Sequence, residues 1–125
     1  MRNALLLVLA LTVAAPAIAA PPGSAQNFLD RAHRLKAKGP FAFFDSDYGR
    51  LKAEATAVGK AIGDDRIAAQ RAGKPILYCS PNARAQLGSF EFIDGLDAIP
   101  PAERAHMTLK DGMIRVLQHK YPCKK

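Results

Sequence analysis

Cysteine is nearly missing: Cys79 and Cys123 are the only two in 125 residues. Closely spaced cysteine pairs are therefore absent, and with them the usual frame of a structural zinc site. The chain has no Gly-x-Ser-x-Gly elbow, and His33, His106 and His119 have no serine or carboxylate companion by motif. Nucleophilic catalysis of the triad kind has no support in such a sequence, and we expect no enzyme. No glycine-rich phosphate loop occurs, and no cofactor is implied. Alternating strand patterns, internal repeats and low-complexity tracts are absent beyond the N-terminal segment, and no later apolar run approaches bilayer-spanning length. Acidic residues are scarce, 11 against 18 Lys and Arg, for a net charge of +7. That balance in a cytosolic chain would raise nucleic acid as a partner. The export signal described next removes that expectation. The charge then suits an acidic protein, the cell wall or an anionic membrane surface, with solubility as the plainer explanation.

Residues Met1 to Ala19 read as a targeting segment. Arg2 supplies the positive start, Ala4 to Ala15 is an uncharged apolar run, and Ala17-Ile18-Ala19 is a small-x-small cleavage site. Pro16 breaks the run, which is short for a membrane anchor. No cysteine follows the cleavage site, so a lipoprotein anchor is not expected. The expectation is a periplasmic protein in which residues 20–125 form a single domain with no transmembrane span. Loss of Arg2 lowers the net charge from +7 to +6.

Within that domain the apolar spacing is helical. Ser24 can cap a helix to about Lys38, with Ala25, Phe28, Leu29, Ala32 and Leu35 as its buried face. Gly39-Pro40 stops it. Phe41-Ala42-Phe43-Phe44 holds three of the six phenylalanines, and such a cluster reads as a core plug between two helices; the rival reading is an exposed aromatic patch. Asp45-Ser46-Asp47 offers N-caps for a longer helix ending at Gly73-Lys74-Pro75; one helix with a kink at Gly63-Asp64-Asp65 is favoured over a break there that caps a second helix through Gln70. Ile76-Leu77-Tyr78 should run extended into Cys79, and Pro81 can open a helical turn. Ser89 can cap a helix to about Asp97, and Ile99-Pro100-Pro101 terminates it. Pro101 to His106 can form one turn. A capping box at Thr108-Leu109-Lys110-Asp111 opens the last helix, which stops at Pro122. The fold class is all-α: one small domain of four or five helices. Its expected core includes Phe28, Leu35, Leu51, Val58, Phe92, Leu96, Met113 and Leu117.

Two cysteines in an exported chain usually pair, because the compartment is oxidising. The rival is a metal site built from Cys79, His119 and Cys123. Glu91, Asp94 and Asp97 share a helix face and could do acid/base work in a cleft, although a solvated face explains them more simply. Asn27, Arg31, Arg34 and Lys38 form a polar stripe on the first helix. Its cations, Arg31, Arg34 and Lys38, are the candidate partner-binding residues, again against the plain reading of a solvated face.

The Cys79-Ser80-Pro81 entry and the Tyr121-Pro122-Cys123 close resemble the pattern of type VI secretion amidase immunity proteins. The resemblance covers the stretch between the cysteines, and the first two helices carry no matching motif. It implies an all-α periplasmic fold with one intramolecular disulfide. It also implies a protein partner that cuts peptidoglycan, and homodimers in some members. A second class, the acid-stress chaperone, is also small, helical and disulfide-bonded. Full protonation would carry residues 20–125 from +6 to about +20, a swing that is ordinary for a basic chain.

Overall fold

The computed structural model describes residues 19–124. Residues 1–18 of the expected targeting segment lie outside the described residues. The element order is α1 (Ala25–Lys36), a 3-10 turn (Gly39–Phe44), α2 (Ser46–Arg71), α3 (Ser89–Asp97), α4 (Pro101–Arg104) and α5 (Leu109–Lys120). Five α-helices and a disulfide make an all-α domain without a strand among the described residues, and none of these helices is long and apolar enough to cross a membrane.

Three of the four expected caps act where the sequence places them; Ser89 instead becomes the first residue of α3, with Gly88 at the cap and its N–H held by Glu91 Oε2 at 3.1 Å. Ser24 Oγ accepts the Asn27 N–H at 3.1 Å, and Asp45 Oδ1 accepts the Asp47 N–H at 2.8 Å. Thr108 and Asp111 exchange side-chain and backbone bonds, each at 3.1 Å, in a capping box. The N-caps of α1 and α5 are joined to each other. Ser24 and Thr108 form an isolated antiparallel bridge, flanked by Ala25 N–H to Met107 O and Leu109 N–H to Gly23 O, both 3.0 Å. That short pairing fixes both helices at their N-termini. It delivers Ala25, Phe28 and Leu29 against Leu109, Gly112 and Met113 as one core.

α5 is the central helix, packed against α1, α2 and α3. Leu29 and Leu96 are fully buried, and Phe28 meets Phe92 at 5.5 Å between ring centroids. α3 approaches α5 closely because glycines stand at the crossing. A Cβ on Gly95 would lie 2.7 Å from a Val116 methyl, and one on Gly112 would lie 2.8 Å from Leu96 Cδ2. Phe28, Leu51, Phe92, Leu96, Met113 and Leu117 are buried as expected, whereas Leu35 and Val58 are half-buried at the edge of the core. Helix α1 ends at Lys36, two residues early, and Pro81 opens a bend rather than a helical turn. Helix α2 runs unbroken through Gly63.

Two buried arginines replace apolar residues at the seams. Arg104 donates from Nη1 to Leu96 O, Asp97 O and Ile99 O at 2.9, 3.3 and 2.8 Å, and from Nε to Gln26 Oε1 at 2.6 Å. It thereby adds a donor to Leu96 O, which also accepts from the Ile99 N–H, and satisfies the Asp97 and Ile99 carbonyls at the end of α3. Arg66 lies over the Tyr78 ring, 5.0 Å from its centroid, and donates to Ser80 Oγ, Ser80 O and Asn82 O. The chain entering the disulfide is thus clamped to α2.

Candidate functional site

Cys79 and Cys123 are bonded, 4.9 Å apart at Cα and 44 positions apart in sequence. The Cys79 N–H donates to Tyr121 O at 2.8 Å, so the entry and the close of the bracket are also paired through the backbone. The three-ligand metal reading falls with the disulfide, since neither sulfur is free. The three carboxylates of α3 are engaged separately or stand apart. Glu91 accepts from Lys120 at 2.8 Å and from the Gly88 N–H at 3.1 Å, Asp97 lies 2.9 Å from His33, and Asp94 is exposed. They form no acid/base pair.

The cationic stripe divides. Arg31 turns inward and forks two carboxylates of α2, Asp47 at 2.9 Å and Glu54 at 2.8 Å, with its side chain only 17% exposed. Lys38 pairs with Asp45 across the 3-10 turn. Arg34 alone of the three stands exposed with no ion pair among the described residues. With Arg50 it lines a polar hollow of about 280 Å³, whose floor holds the Arg31 and Asp47 pair. Two of the three expected docking cations are therefore structural ties.

What those ties hold is the phenylalanine turn. The expected plug is not in the core: Phe41, Phe43 and Phe44 are 74%, 70% and 89% exposed, and only Ala42 turns inward. The reason lies in the local geometry. Gly39 takes φ +58°, a left-handed conformation that turns the chain sharply out of α1, and Pro40 follows as the second residue of the tight turn, where its missing N–H costs no helical bond. The turn then has one residue for its inner face before Asp45 caps α2. Phe43 meets Tyr48 edge-on at 5.3 Å, so its ring lies over the start of α2. Phe90, 69% exposed, lies under Lys36 Nζ at 5.9 Å, beside the same end of α1. Four of the six phenylalanines are therefore outside: for Phe41, Phe43 and Phe44 the rival reading of an exposed patch holds, and Phe90 carries no expectation from the sequence. The available signal was the Gly39-Pro40 stop placed so near the Asp45 cap.

A second surface lies roughly 25–35 Å along α2, at the rise of a helix. There Ile62, Ala69, Pro75, Ile76, Leu77 and Ile114 line a mainly apolar groove of about 260 Å³, with the charged Asp65, Arg66 and Lys74 also in its wall. Leu77 is 58% exposed on the segment that Arg66 and the disulfide fix.

The turn should be sensitive to acid. Asp47 is held below its ordinary value near 3.8, chiefly by its bond to Arg31, and Asp45 likewise by its bond to Lys38. A carboxylate depressed on folding stabilises the native state above its unfolded value and loses that contribution as pH falls through the folded value. Asp47→Asn should therefore lower the melting temperature at neutral pH, and the difference from wild type should close below about pH 3.8. A gap that stays constant into strong acid would show that the Arg31 pair is not its source.

No family model matches the chain, and neither a curated protein nor a solved structure matches it.

Proposed function

We propose that the protein is a non-enzymatic, exported binding domain of the immunity type, which silences a peptidoglycan-degrading enzyme by binding it. The observation that carries this reading is the apolar groove at the entry of the disulfide bracket. It lies beside the stretch on which the resemblance rests. Its wall is an exposed Leu77 on a backbone tied by Arg66, by the Cys79 N–H bond to Tyr121 and by the disulfide. A concave apolar site on an ordered backbone can take an apolar anchor from a partner with little further ordering, which lowers the entropic cost of association.

The test uses residues 20–125 as bait on an envelope extract at neutral pH, followed by the purified partner. The expected result is one stoichiometric wall hydrolase whose peptidoglycan digestion stops when the protein is added. Leu77→Asp should weaken that inhibition by at least about tenfold, as expected for charging an apolar anchor site, and leave the helical spectrum unchanged. Protection of many unrelated clients in strong acid, with no hydrolase inhibited at neutral pH, would replace the immunity reading with the chaperone one.

A further inference from the structure

We propose that the phenylalanine turn is a membrane-surface anchor, which docks on an anionic phospholipid bilayer. The inference goes beyond the protein-binding reading and uses a different face of the molecule. Phe41, Phe43 and Phe44 put three large apolar rings into water at more than two-thirds exposure each. Exposed apolar surface rimmed by polar groups marks a contact with protein or with membrane.

The charge around the turn selects the membrane. Between Arg31 and Glu54 the chain carries six Lys and Arg against three carboxylates. All three carboxylates are spent internally: Asp47 and Glu54 on Arg31, Asp45 on Lys38. Arg34, Lys36, Arg50 and Lys52 have no carboxylate partner among the described residues. The outward field of this end is therefore positive, with aromatic rings at its tip. Anionic headgroups attract such a cluster, while rings of this kind enter the boundary between headgroups and acyl chains. The three rings stand at the tip with the unpaired cations behind them, the order in which a bilayer presents acyl chains beneath its headgroups. The turn is also ordered in advance. Gly39, the Lys38–Asp45 pair across its base and the Asp45 cap on α2 fix its backbone, so docking does not have to order a loop. The distance along α2 leaves the apolar groove clear of the bilayer, and both faces can be occupied together.

The experiment is co-sedimentation of residues 20–125 with vesicles of phosphatidylcholine alone, or of equal parts phosphatidylglycerol and phosphatidylcholine. Wild type should sediment with the anionic vesicles and at least about tenfold less with the neutral ones, in proportion to the charge on the surface. The combined variant Phe41→Ser, Phe43→Ser and Phe44→Ser should lose at least about tenfold in binding to anionic vesicles, as the apolar contribution is removed. Phe44→Ser alone, at the most exposed ring, should show a smaller loss in the same direction and keeps the test valid if the triple variant melts early. Arg34→Glu with Arg50→Glu should remove the preference for anionic vesicles. Anionic binding that the ring substitutions leave unchanged would be plain charge attraction and would overturn the anchor. So would failure of wild type to bind either vesicle. If ring substitution instead abolishes hydrolase inhibition while vesicle binding is absent, the turn belongs to a protein interface.

Discussion

Cys79→Ser combined with Cys123→Ser should lower the stability of the fold by about 4 kcal/mol. The loop closed is 44 positions long, and in the chain-entropy model a loop of that length constrains the unfolded state by about that much. Both cysteines are solvent-exposed, so serine hydroxyls would be hydrated and no buried polar group would be created. The native geometry has other ties, including the Cys79 N–H to Tyr121 O bond, the Arg66 clamp on Ser80, and Lys120 Nζ and Tyr121 OH on Gln86 O. The effect should therefore act through the unfolded chain. Small domains hold a total of about 5–15 kcal/mol, so the fold should survive at low temperature and melt on the order of 20 °C earlier. Denaturant unfolding with and without reductant gives the number. A loss under about 1 kcal/mol would mean that the unfolded chain is already compact between the two positions.

Leu96→Ala is the second large effect, at about 3 kcal/mol. Leu96 is fully buried, at the crossing of α3 and α5. Truncation removes its packing and leaves a hole that the close helix contact cannot fill by collapse. Gly112→Ala should destabilise by about 1–3 kcal/mol for the opposite reason, overpacking. Its new methyl would lie 2.8 Å from Leu96 Cδ2 and 3.2 Å from the Ala25 Cβ. The two defects share one space. In the double variant the added methyl enters the volume that Leu96 vacates, and the combined loss should fall short of the sum by at least about 1 kcal/mol. Strict additivity would show that the Ala25 contact, not Leu96, limits position 112.

The helices were legible because their signals are local. Ser24, Asp45 and Thr108 cap where their side chains predict, and the Gly-Pro and Pro-Pro stops end elements within a residue or two. The disulfide was legible from the two lone cysteines together with the expectation of an oxidising compartment. What could not be read was direction across space. Arg31, Arg34 and Lys38 share a helix face in sequence, yet Asp47 and Glu54, 16 and 23 positions away, decide that Arg31 turns inward. Arg66 and Arg104 are buried because carbonyls from distant segments converge on them, and nothing in their neighbours in sequence says so. The phenylalanine cluster failed for another reason. Composition speaks for burial, whereas the short span between the Gly39 turn and the Asp45 cap left one inward position, which Ala42 takes.

The bracket also changes what a protease can accomplish. The segment from Pro81 to Arg84 is exposed and without helix, and beyond Asn82, whose carbonyl Arg66 holds, it runs free of the clamp toward α3. An exposed stretch of this kind is open to a protease. A nick after Arg84 would leave residues 20–84 and 85–125 as separate peptides, but the first ends with Cys79 and the second carries Cys123. The fragments would stay covalently joined, with α1 and α2 still packed on α5. Such a molecule can be cleaved once without being taken apart.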